Sequence, residues 1–174
     1  MDDLIARLKR KEDSALKEVM RMYKNQVFNY LHLLVGNAQA AEELTQDTFV
    51  RVYFKAPGLR TNNLKSWIYT IATNLARSEF RKQRLRRWLH LSEAGPEATS
   101  CPSQAESSLL LEQLLAALPE KFRTPLVMKE MDNFSFEEIA RMLGKPVGTV
   151  KSLVFRGKDY LKTRVSVPGG DSHA

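Results

Sequence analysis

With 174 residues, 43% of them hydrophobic and 27% charged, the chain has the balance of a folded globular protein and room for two small helical domains. One cysteine, Cys101, and three scattered histidines, His32, His90 and His173, exclude an intrachain disulfide framework and offer no ligand spacing, so neither a metal nor another cofactor is expected. A net charge of +7 favours a polyanionic partner, but an ordinary basic cytoplasmic protein carries the same total, and the placement of the charge has to decide.

The chain opens Met1-Asp2-Asp3, acidic where a secretory leader carries base before an apolar stretch, and it holds no long apolar run. A cytoplasmic site is expected and membrane insertion is not. From Leu4 to Val35 apolar residues recur at helical spacing, among them Leu16, Val19, Met20, Tyr23, Val27, Tyr30, Leu31 and Leu34. Gly36 then reads as a helix stop and Asn37 as the N-cap of a helix from about Ala38 to Lys55, ended by Pro57-Gly58. Its inward stripe is Ala41, Leu44, Thr48, Phe49 and Val52.

A third pattern begins at Ser66, where Trp67, Ile71 and Leu75 recur every fourth residue, which places Trp67 in the core rather than on a stacking surface. The same helix continues into Arg77-Ser78-Glu79-Phe80-Arg81-Lys82-Gln83-Arg84-Leu85-Arg86-Arg87, where base far outweighs acid. From Ser92 to Ser108 the composition turns to Gly, Pro, Ser, Ala and Glu, which buries too little to hold a fixed shape and reads as a linker. Helical spacing resumes at Leu110, Leu111, Leu114, Leu115 and Leu118 and continues to about Val165, with Thr124-Pro125 expected to start one of the helices and Pro168–Ala174 to fray. The expected class is all-α, with domains over 1–88 and 109–165, a flexible linker over 89–108 and a disordered tail over 166–174.

The segment from Phe134 to Lys151 has the form of a helix-turn-helix. Ser135 and Glu138 make a capping box, Gly144 supplies a left-handed turn residue, and Pro146 suits the first position of the second helix. Ile139, Ala140 and Leu143 face inward from the first helix, and Val150, Val154, Gly157 and Leu161 from the second. Opposite stand Lys151, Ser152, Phe155, Arg156 and Asp159. Cations, a hydroxyl and an exposed aromatic suit a helix in the major groove, where they clamp phosphates, donate to base edges and touch a thymine methyl. A solvated helix closing a bundle is the plain alternative.

In the first domain the basic run, with Phe80 and Trp88 among it, suits phosphates and unstacked single strands. Asn74 carries an amide that donates and accepts at once and so can read a base edge, although an asparagine on a helix surface needs no such role. Glu42, Glu43 and Asp47 are a paired-carboxylate candidate without nucleophile, metal ligand or phosphate loop, so a protein-binding face is the better reading and a nuclease the weaker.

At these residues the chain resembles the extracytoplasmic-function (ECF) sigma factors, the minimal branch of the primary bacterial sigma family. The likeness rests on Ala41-Glu42-Glu43-Leu44-Thr45-Gln46-Asp47-Thr48-Phe49-Val50-Arg51-Val52-Tyr53, on Ser66-Trp67-Ile68-Tyr69-Thr70-Ile71-Ala72-Thr73-Asn74, and on the helix-turn-helix through Lys151-Ser152-Leu153-Val154-Phe155-Arg156. The resemblance implies a non-enzymatic, stress-responsive initiation factor whose partners are core RNA polymerase, promoter DNA and an anti-sigma factor. It implies that Glu43, Gln46 and Asp47 dock on the clamp coiled coil of the polymerase. Asn74, with the loop from Arg60 to Lys65, would meet a flipped base of the −10 element, while Arg77, Arg81 and Lys82 steer phosphates. Thr149, Lys151, Ser152, Phe155 and Arg156 match the helix that reads the −35 element, with an apolar surface of the second domain lying on the polymerase flap. Leu153 and Ser78 depart from the family pattern, where many members carry base and acid respectively. The rival reading is a self-sufficient helix-turn-helix regulator that dimerises on a palindrome.

Overall fold

The computed structural model describes residues 1–89 and 106–165. The expected tail over 166–174 lies outside the described residues, as do His90, Cys101, His173 and the part of the expected linker from 90 to 105. The linker's two ends belong to helices instead, Leu89 closing one and Glu106 opening the next. The described residues are helical with no strand among them, which is the all-α class expected, and they divide into two compact units between Ser103 and Gln104.

The first unit holds α1 (Asp2–Lys9), α2 (Asp13–Val35), α3 (Ala38–Lys55), a single 3-10 turn (Ala56–Gly58) and α4 (Leu64–Leu89). The apolar spacing from Leu4 onward is thus broken after Lys9: Lys11 takes a positive φ of 59°, and Leu4, Ile5 and Leu8 turn back to bury against α2 and the 3-10 turn. Neither Gly nor Pro marks this break, so the residue pattern alone does not reveal it. Arg7 holds it closed, its Nε 3.2 Å from Glu12, its Nη1 3.2 Å from Glu18 and its Nη2 donating to Ser14 Oγ at 3.0 Å.

Gly36 ends α2 in the left-handed region at φ 69°, where a side chain would be strained, and Asn37 Oδ1 accepts from Ala40 N at 2.8 Å to open α3. Both match the sequence reading. Ala41, Leu44, Thr48, Phe49 and Val52 are buried as expected, joined by Thr45. The buried hydroxyls of Thr45 and Thr48 donate to the carbonyls of Ala41 and Leu44, so they enter the core without loss of partners. Between α2 and α4, Thr73 Oγ1 donates to Tyr69 O and lies 2.8 Å from Tyr30 OH, while the Tyr30 and Tyr69 rings approach to 4.9 Å.

The inward stripe of α4 is Leu64, Ile68, Ile71, Ala72 and Leu75. Trp67 is only half-buried, a correction to the expectation. At 3.6 residues per turn it stands about 100° from the centre of that stripe, and the adjacent Ile68 takes the central place.

The second unit holds α5 (Glu106–Ala117), α6 (Glu120–Glu130), α7 (Phe136–Leu143) and α8 (Val147–Val165). Thr124-Pro125 does not start a helix: α6 begins at Glu120 after Pro119, and Pro125 lies inside it, buried with Thr124, Leu126, Val127 and Met128. Pro119 already provides the break, and an interior proline in the second turn forfeits one helical hydrogen bond while its ring fills the core. Arg123 donates to Ala116 O at 2.7 Å and to Leu118 O at 2.8 Å, closing the exposed carbonyl end of α5. Burial pulls its guanidinium below the ordinary arginine range.

Candidate nucleic-acid and partner-binding faces

The helix-turn-helix is built by local chemistry. Ser135 Oγ accepts from Glu138 N at 3.2 Å and Glu138 Oε2 accepts from Ser135 N at 2.9 Å, the reciprocal box expected. Gly144 turns the chain at φ 62°, and Lys145 N reaches back to Ala140 O at 3.0 Å. Pro146 sits one residue before α8 rather than at its first position, and its carbonyl accepts from Val150 N at 3.1 Å.

Ile139, Ala140, Met142 and Leu143 of α7 are buried, as are Val150, Val154 and Gly157 of α8, while Leu153 and Leu161 are half-buried. A Cβ on Gly157 would stand 3.4 Å from Phe122 Cβ, so glycine lets α8 lie close on α6. This packing leaves Thr149, Lys151, Ser152, Phe155, Arg156 and Asp159 on the solvent side, with Phe155 73% exposed. Lys151 Nζ lies 5.7 Å from the centre of the Phe136 ring and Lys129 Nζ 4.9 Å, so two ammonium groups gather beside this face. Lys158 is engaged elsewhere, 2.9 Å from Glu130 of α6.

On α4, Asn74 is exposed between buried Thr73 and buried Leu75. Arg81 and Lys82 are also exposed and Arg77 half-buried. Helical geometry puts Arg77 and Arg81 within about 60° of Asn74 and Lys82 about 80° away. Lys65 does not join them: it lies about 180° round the helix from Asn74, with its Nζ 5.7 Å from the centre of the Tyr69 ring.

On α3, Glu42, Glu43, Gln46 and Asp47 are all exposed. The sequence reading missed two neighbours on that face, Val50 and Phe54, which are 53% and 66% exposed. The series Glu43, Asp47, Val50, Phe54 advances by four, three and four residues, so one side of α3 carries acid at its start and apolar groups at its end. That spacing was visible, but apolar residues beside a buried stripe read as more core. Lys11 Nζ stands 5.5 Å from the Phe54 ring centre and 5.7 Å from that of Tyr53, tying the α1–α2 turn to the apolar end. Among the described residues no group of three or more His, Cys, Asp or Glu side chains is placed to hold a metal, and no helix is long and apolar enough to cross a membrane.

A capped helix-turn-helix with a cationic outer face in one unit, and a polar and basic helix face in the other, define a helical DNA-binding protein. The Sigma-70 region 2 family matches residues 19–86 and the Sigma-70, region 4 family residues 108–161. The ECF RNA polymerase sigma factor SigW of Bacillus subtilis (strain 168) is 30% identical over 176 residues, spanning 92% of this chain and 94% of SigW. The ECF RNA polymerase sigma factor EcfG of Rhodopseudomonas palustris (strain TIE-1) is 34% identical over 144 residues, 79% of this chain and 78% of EcfG. Among solved structures, the sigma factor RpoE of Bartonella quintana, crystallised with the anti-sigma factor NepR, matches with a TM-score of 0.76 and 25% identity, covering 87% of this chain and 96% of RpoE. The chain belongs to the ECF RNA polymerase sigma factors, alternative sigma factors that direct RNA polymerase to promoters.

Proposed function

We propose that the chain reads promoters through two separate domains, residues 1–88 and 109–165, mounted on core RNA polymerase in the cytoplasm, and performs no catalysis itself. Thr149, Lys151, Ser152, Phe155 and Arg156 read the −35 element in the major groove. Asn74 holds a flipped base of the −10 element while Arg77, Arg81 and Lys82 neutralise phosphates, and Lys65 meets the strand separately, from the first turn of the same helix. Glu43, Gln46 and Asp47, with Val50 and Phe54 beyond them, dock on the clamp of the polymerase, and an anti-sigma factor that competes for such faces is the expected regulator.

The observation that carries this reading is the division of α8, whose apolar side is consumed by α6 and α7 while its cations and Phe155 stay exposed. A helix that only closed a bundle has no need of Phe155 in solvent. The polymerase fixes the spacing between domains, so once one element is bound the other binds as an intramolecular event. A flipped base gives the first domain a contact that intact duplex does not offer, which drives opening.

The test is reconstitution with bacterial core polymerase followed by sequencing of transcription starts. New start sites are expected, and Lys151→Ala or Arg156→Ala is expected to weaken −35 discrimination by about 1–3 kcal/mol if the contact is to a base. Unchanged start-site choice on adding the chain would defeat the proposal.

A further inference from the structure

The second half of α4 does not behave as part of a packed bundle. Among the residues whose burial is described, the buried ones end at Ala76, and Arg81, Lys82, Arg84, Leu85, Arg86, Trp88 and Leu89 are all exposed, Leu85 at 56% and Trp88 at 70%. Seven exposed residues thus fall in the last stretch of the helix, Arg81 to Leu89, about 13 Å long at 1.5 Å per residue. From Arg77 to Leu89 the sequence has six basic residues and one acid, Glu79, which accepts from Gln83 Nε2 at 3.4 Å. Its exposed apolar residues, Leu85, Trp88 and Leu89, lie on one side of the helix, while half-buried Phe80 stands about 120° from Asn74. Relative to Asn74, Arg81 and Leu85 stand about 20° to either side and Trp88 about 40° away, so the face that presents Asn74 continues without interruption to the indole, roughly 21 Å along the axis.

We infer that Trp88 is a second DNA contact on this face, an indole that stacks on a base plane laid bare where the strands separate, with Leu85 beneath it and Arg81 and Arg84 on the adjoining phosphates. The inference rests on the −10 reading of Asn74. Two features select DNA rather than protein as the occupant: the charge around the apolar stripe is that of a phosphate-binding track, and the stripe is continuous with the face proposed to hold a flipped base. An aromatic ring is the group such a site needs, because every base offers a π-face and stacking tolerates any sequence. The distance corresponds to about six base steps at 3.4 Å each, so the two contacts engage different nucleotides.

The experiment uses holoenzyme assembled from the full chain and core polymerase, with promoter DNA taken from its mapped transcription starts and supplied as intact duplex and as a fork junction with unpaired −10 bases. Trp88→Ala is expected to shorten the lifetime of the fork-junction complex about tenfold, with holoenzyme assembly and initial duplex binding unchanged. Trp88→Phe should restore most of that lifetime and Trp88→Leu little, because stacking needs a ring and an apolar protein contact does not. The side chain is exposed, so the variants fold. A wild-type lifetime for Trp88→Ala, an equal loss on intact duplex, or a loss of polymerase assembly each overturns the inference. Asn74→Ala run beside it separates the two readings: if it loses fork-junction binding while Trp88→Ala does not, only the inference about Trp88 fails. If neither variant changes anything, the −10 assignment of this helix fails with it.

Discussion

Two adjacent residues of α8 allow the division between folding and reading to be measured. Val154 is 4% exposed and Phe155 73% exposed. Val154→Ala removes two buried methyl groups, about 1.6 kcal/mol by transfer at roughly 0.8 kcal/mol each, and the cavity left behind brings the cost to about 2 kcal/mol. Phe155→Ala removes a larger side chain, yet folding takes only about a quarter of it out of water, so the expected cost is about 0.5 kcal/mol, a quarter of the ~1.5–3 kcal/mol for a fully buried one. Because the chain comprises two units, a single melting curve mixes them, and amide hydrogen exchange of α6 and α8 in the full chain is the proper measure of local stability. Promoter binding should rank the other way at temperatures where both variants are folded: Phe155→Ala loses −35 affinity by about 1–3 kcal/mol, the scale of one base contact, while Val154→Ala retains it. If Phe155→Ala accelerates exchange as much as Val154→Ala does, the facing of α8 is wrong. If it leaves promoter affinity intact, the reader is another surface.

Three further outcomes follow from other parts of the chain. Asn74→Ala is expected to leave closed-complex binding intact and to abolish thymine reactivity to permanganate in the melted region; a footprint like that of wild type removes its role. Phe54→Ala is expected to weaken holoenzyme assembly several-fold without altering exchange in α3, measured by titration of labelled chain with core polymerase; unchanged assembly excludes the apolar end of α3 from docking. The third concerns acid. The Glu12 carboxyl is held below its ordinary range by hydrogen bonds from Arg10 first and Arg7 second, opposed by desolvation. A depressed carboxylate stabilises the fold above its unfolded value and loses that contribution as pH falls through the folded value, so α1 amides should lose protection below about pH 4, the ordinary glutamate range. Glu12→Gln should show the fast exchange already at neutral pH, and equal protection at both pH values in wild type would show that these contacts do not hold α1.

The legible parts of the fold were those written in local chemistry. Gly36 and Gly144 permit a left-handed turn because they lack a Cβ, Asn37 and the Ser135–Glu138 box cap helices through side-chain hydrogen bonds, and all appear where expected. The break before α2 was not legible, because it is made by Arg7 reaching Glu12 and Glu18, contacts that exist only after the chain has turned. Thr124-Pro125 misled because proline is equally a helix starter and a core filler, and Pro119 had already taken the first role. Trp67 misled because a spacing of four fixes a face only to within about 40° per step, and the neighbouring Ile68 and Tyr69 compete for the same interior.

Of the candidate faces, the charged members and the aromatics Phe155 and Trp88 could be named in advance, whereas Val50, Phe54 and Leu85 could not. Val50, Phe54 and Leu85 look like core in a residue pattern, and only packing shows that the interior is complete without them. Single exposed apolar side chains are ordinary on a protein surface. These are not single: Val50 and Phe54 share the side of α3 opposite its buried stripe, Leu85 lies beside Trp88 beyond the last buried residue described in α4, and each shares its exposed side with the polar groups proposed to meet polymerase or DNA. Burying one such ring yields about 1.5–3 kcal/mol, a gain realised only when the partner arrives and absent from the stability of the free chain. Replacing Val50 and Phe54 with Ser should therefore impair assembly with the polymerase and spare hydrogen exchange throughout the chain. Replacing Phe155 with Ser should spare both exchange and assembly and impair only the promoter step. If either replacement instead accelerates exchange across its own unit, those side chains belong to the core of the free protein and the division between folding and docking residues is wrong.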